Sequence, residues 1–72
     1  MNNMSKYHIY RDEYLGYALF DDSRKGWTQQ ISKWYSRKGY LLHIMHSQMF
    51  PHLSYTQFQE FIKEIDETDK TI

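Results

Sequence analysis

Gly26–Gly39, GWTQQISKWYSRKG, is the stretch whose reading decides the fold. Taken at 100° per residue it makes one amphipathic helix over residues 27–38. Trp27, Ile31, Trp34, Tyr35 and the stem of Lys38 fall on one side, while Gln29, Ser32, Lys33, Ser36 and Arg37 fall opposite. Gly39 suits the left-handed position that commonly ends a helix. Arg37 and Lys38 complement the negative end of the helix dipole. Before it, the polar run from Asp21 to Lys25 offers turn residues and helix caps.

Toward the amino terminus, Lys6 to Phe20 (KYHIYRDEYLGYALF) is rich in Tyr and apolar residues, interrupted only by Arg11, Asp12 and Glu13. That pattern favours a β-hairpin. A two-residue turn at Asp12–Glu13 pairs Tyr10 with Leu15, Ile9 with Gly16 and His8 with Tyr17, although tight primed turns prefer Gly or Asn. In this register Tyr7, Ile9, Gly16, Ala18 and Phe20 share one face, where the small Gly16 and Ala18 let the helix lie close. His8, Tyr10, Leu15, Tyr17 and Leu19 share the other. Both faces are largely apolar, whereas a sheet covered on one side should alternate. The second face is thus left without cover.

Toward the carboxyl terminus, Tyr40–Phe50 (YLLHIMHSQMF) reads either as a helix that groups Leu41, Ile44, Met45 and Met49 or as a strand. A helix–Gly–strand step favours a strand over residues 40–46 that returns beside the hairpin. Ser47–Leu53 is then a loop containing the single proline, Pro51. Ser54 and Gln57 form a capping box, with Leu53 and Phe58 at staple positions. Tyr55, Phe58, Phe61, Ile62 and Ile65 make one apolar stripe, and the acids from Asp66 onward should fray that helix. The expected architecture is a small two-layer α+β domain, hairpin–helix–strand–helix, with a three-stranded antiparallel sheet and two helices. A hairpin followed by three helices is the alternative. Residues 1–5 and 67–72 are expected to be loosely held.

With 72 residues there is room for one domain and a small core, which seven Tyr, four Phe and two Trp help to fill. The absence of Cys excludes disulfides and thiolate metal sites. It fits a reducing, cytoplasmic setting. No apolar run suggests a signal peptide or a membrane span. Nine basic and nine acidic residues cancel, but unevenly. No acid lies between Ser23 and Gln59, and the segment from Glu60 on is acidic.

These residues offer four kinds of site to consider. His43, His46 and His52 have an H-x2-H-x5-H spacing, but a strand over residues 40–46 would point the first two to opposite faces. No metal and no cofactor is expected. The carboxylates sit in adjacent pairs beside turns, no glycine-rich phosphate loop exists, and so short a chain has little volume for a pocket. No enzymatic activity, small-molecule substrate or membrane partner is expected. Arg24, Lys25, Gln29, Lys33, Arg37 and Lys38 gather around the helix over residues 27–38 and could contact phosphates and base edges. The near-neutral isoelectric point weighs against that use. The uncovered hairpin face, with Tyr10, Leu15, Tyr17 and Leu19, points instead to a protein partner, either a hetero-partner or a second copy.

The leading expectation is therefore a non-enzymatic protein-binding module, an inhibitor or regulator of a larger macromolecule. A small nucleic-acid-binding regulator is the alternative. No stretch carries a family motif. In general character (short, Cys-free, aromatic-rich, without catalytic apparatus) the chain resembles small phage or mobile-element proteins that bind and block a host factor.

Overall fold

The computed structural model describes residues 6–69. Strand β1 (Tyr7–Asp12) and strand β2 (Gly16–Asp21) form the expected hairpin. Its turn has three residues rather than two. The Asp12 carboxylate accepts the backbone N–H groups of Tyr14 and Leu15, at 2.8 and 3.0 Å. Gly16 then closes the turn at a φ of +102°, a conformation that side chains disfavour. The register therefore pairs Ile9 with Leu19 and Tyr10 with Ala18. This is three residues from the two-residue-turn pairing, and an odd slip exchanges the faces.

The second correction concerns residues 26–39. Only Gly26–Gln29 coil, as a single 3₁₀ turn, and residues 30–37 run extended along the free edge of β2. Ile31, Trp34 and Tyr35 suit a pleated edge as well as a helix. The helical spacing of its apolar residues was coincidental. Bridges join Phe20 to Gln30 and Tyr17 to Tyr35, so β2 advances three residues while its neighbour advances five. Two extra residues bulge outward between the bridges. There the Ser32 hydroxyl accepts the Leu19 N–H at 2.8 Å and donates to the Lys33 carbonyl.

Helix α1 (Lys38–Ile44) takes the place of the expected strand over residues 40–46 and continues into a π-helical turn, Met45–Met49. The Phe50 N–H closes that turn on the Met45 carbonyl at 2.7 Å. Leu, Met and Gln favour helix here, and Gly39 lies inside the first turn of α1 rather than after a helix end. Helix α2 (Tyr55–Lys63) begins at Ser54, whose capping box with Gln57 is complete, as the sequence indicates. The chain leaves α2 through Ile65 and forms β3 (Asp66–Asp69). β3 pairs in parallel with β1, giving the order β2–β1–β3. The third strand is thus the acidic tail, in a mixed rather than antiparallel sheet. The tail expected to be loose divides: residues 67–69 are in β3, and residues 1–5 and 70–72 lie outside the described residues.

The result is a small α+β domain, a three-stranded sheet with two helices against one face. Ile9 and Leu19 from the sheet meet Leu41, Met45, Phe58 and Ile65 from the helix side, and these six form the buried core. Tyr7 adds edge-on contacts to Phe50 and Phe61. No helix among the described residues is long and apolar enough to cross a membrane.

Candidate functional site

The four hairpin residues expected to form one contact patch are separated by the true register. Leu19 is fully buried in the core. Tyr17 shares its face and packs against that core. Tyr10 lies on the outer face, and Leu15 is exposed at the turn. The apparent excess of apolar surface has a local cause. Trp34, from the extended edge, packs edge-on against Phe20 with ring centroids 5.9 Å apart. Tyr10 covers Phe20 from the other side at 4.8 Å and stacks on His8 at 4.4 Å. Ala18 beneath them is wholly buried. The outer face is sealed by its own aromatic row.

The six residues proposed to face nucleic acid fall into separate groups, with Arg24, Lys25 and Gln29 about the 3₁₀ turn and Lys33, Arg37 and Lys38 further along, because the helix meant to present them does not form. Arg24 lies 3.5 Å from Asp21, and the Gln29 amide donates to the Arg24 carbonyl. Lys38 is paired with Glu67 on β3. Lys25 precedes the 3₁₀ turn, Lys33 sits in the bulge and Arg37 precedes α1. Trp27, expected as a core anchor, is 89% exposed.

The site that sequence reading missed lies on the outside of the helical layer. A cleft of about 460 Å³ opens between α1, its π-helical extension and α2. This volume falls within the range of ordinary ligand sites, contrary to the expectation that so short a chain has little volume for one. Leu42, Phe58 and Ile62 supply its apolar floor, with His43, His46 and Tyr55 around them. No Lys, Arg, Asp or Glu lines it among the described residues. The exposed Tyr55 (71%) stands on one wall. At the α1 end the exposed Tyr40 (53%) packs by Tyr35, at 5.2 Å, and His43. The π-helical turn widens the helix here, a distortion often found at functional sites.

His46 is held in place on two sides. Its ring stacks on Phe58, with centroids 4.5 Å apart and planes 7° from parallel. Its Nε2 lies 2.8 Å from the Leu53 carbonyl, which requires a proton on that nitrogen. The Ser47 hydroxyl donates to the His43 carbonyl, not to an imidazole. With no carboxylate in the lining, Ser47, His43 and His46 do not assemble a nucleophile, base and orienting group. A helical 43–46 segment does put both imidazoles at the cleft. Yet no group of three or more His, Asp or Glu among the described residues is placed to hold a metal.

One buried charge lies away from the cleft. Asp21, at the end of β2, accepts hydrogen bonds from the Ser23 hydroxyl (2.6 Å) and N–H (2.9 Å) and lies near Lys6 and Arg24. The Ser23 hydroxyl is the main influence holding its carboxyl below the ordinary range, against the opposing effect of burial. This group supports the turn after β2 and is not part of the cleft lining.

Comparison with known proteins finds no matching family model, no matching characterised protein and no matching solved structure.

Proposed function

We propose that the protein is a non-enzymatic protein-binding module, a small inhibitor or regulator of a larger macromolecule, and that the cleft between α1 and α2 is its contact surface. The observation that carries this reading is the chemistry of the cleft. It has an apolar floor and an uncharged lining, with the exposed Tyr55 on its wall. Protein interfaces concentrate their energy in such places, where aromatic anchors surround a pocket that loses its water on contact. Tyr presents a large apolar surface with little rotamer freedom to lose. A partner helix or turn that places one or two apolar side chains over Leu42 and Ile62 would use both the floor and the rim.

The nucleic-acid reading has less to support it. Two of its six residues are engaged with carboxylates, and the other four are divided among the 3₁₀ turn (Lys25, Gln29), the bulge (Lys33) and the start of α1 (Arg37). The distinguishing experiment replaces Tyr55, or separately Lys33, with a photo-cross-linking amino acid in cells of the source organism, followed by nuclease digestion. A discrete protein adduct from position 55 and none from position 33 is the expected result. Adducts only from position 33, or adducts that vanish with nuclease, would reject the cleft as the contact surface.

A further inference from the structure

Strand β3 is attached to the sheet in an unusual way. All four of its residues are exposed, and it contributes no side chain to the core. Besides its ladder with β1, polar contacts hold it: Glu67 to Lys38, Asp69 to Arg11 at 3.1 Å, and Thr68 to His8. Exposed ion pairs add little and are screened by salt, while ordering four residues has an entropic cost. The last firm anchor before it is Ile65, a core residue. The groups β3 touches, by contrast, stand on elements that the core holds. β1 is the central strand, Arg11 stands across from Tyr17 on β2, and Lys38 opens α1. The hydrogen bond to Tyr17 and the charge of Asp69 raise the Arg11 pKa, so its cation is secure.

Residues two apart in a strand point the same way. Glu67 and Asp69 therefore both project toward the helix side, where the two cations meet them. We propose that the β1 edge from His8 to Arg11, flanked by Arg11 and Lys38, is a binding site for an extended acidic peptide segment with carboxylates two residues apart, and that β3 fills it in the free protein as a displaceable stand-in. The arriving strand would take over the parallel ladder and both ion pairs, the strand-addition mode of peptide recognition. This surface is separate from the cleft and does not depend on it.

The test uses the full isotope-labelled chain, NMR and a blocked peptide, Val-Asp-Glu-Thr-Asp-Val, against its Asn/Gln counterpart. A variant with Glu67→Gln and Asp69→Asn weakens β3 without adding cations. The acidic peptide is expected to bind this variant at least ten-fold tighter than the unaltered protein, to shift the His8–Arg11 and Lys38 resonances, and to release with salt. The neutral peptide should not bind. Equal binding of both peptides, no binding to the variant, or equally strong shifts with an oligonucleotide of the same charge would overturn the proposal. Should the variant fold poorly, hydrogen exchange on the unaltered protein decides. The β3 amides that bond to β1 are expected to exchange at least a hundred-fold faster than Leu19, and faster still in 500 mM salt. Protection equal to that of Leu19 would overturn it.

Discussion

Ser32 does with a hydroxyl what a regular strand does with a carbonyl. It accepts the N–H of fully buried Leu19 across a two-residue bulge. Ser32→Ala leaves that donor without a partner, which should cost about 1–3 kcal/mol by denaturant titration. In a domain this small such a loss is a large share of the total. Asp21 carries a pH dependence whose sign follows from its hydrogen bonds. Its folded carboxyl has a depressed pKa, led by the Ser23 hydroxyl. The associated stability is complete above the ordinary carboxylate pKa and is lost as pH falls below it, through the depressed value. Asp21→Asn should therefore flatten the decline of Tm between pH 5 and pH 2. An unchanged acid limb would locate the dependence in another group.

The elements show where sequence patterns suffice and where they do not. Ser54, Gln57, Leu53 and Phe58 specify the start of α2 through local chemistry alone, and the structure agrees. The hairpin was legible in its strands but not in its register. The Asp12 side chain builds a turn that a count of residues cannot reveal, and Gly16 is its visible clue. Residues 27–38, which read as a helix, run mostly extended, and residues 40–46, which read as a strand, are helical, because each pattern satisfies both periods. What decides between them is long-range, a free β2 edge that pairs with Tyr35. That pairing brings two backbones so close that a Cβ on Gly16 would lie 2.1 Å from the Tyr35 oxygen. Gly16→Ala combines this clash with an unfavourable φ and should destabilise by about 3 kcal/mol or more, measured by chemical denaturation. Gly39 differs. A Cβ there meets nothing within 4 Å, and the residue lies in the first turn of α1 beside the cleft. Gly39→Ala should raise stability by a few tenths to about 1 kcal/mol. If the cleft is the contact surface, the added methyl at its rim should weaken partner binding at the same time.

As a whole the molecule is two layers, one face of the sheet closed by helices and the other by its own aromatic row. That arrangement moves the open apolar surface from the hairpin, where composition suggested it, to the cleft of the helical layer. The α+β class could be read from the hairpin and the capped last helix, although the third strand and the other helix lie elsewhere in the chain than the spacing indicates. The cleft could not, since it exists only once α1 and α2 lie side by side. Tyr55 and Ile62 contribute to its wall and floor without belonging to the fully buried core, so their removal separates binding from folding. The most direct measurement is the affinity of Tyr55→Ala with Ile62→Ala for the protein captured by cross-linking at position 55, alongside the Tm of the same variant. The account predicts at least a ten-fold loss of affinity, about 1.4 kcal/mol or more, from a variant that still unfolds cooperatively. Unchanged affinity in that folded variant would contradict it.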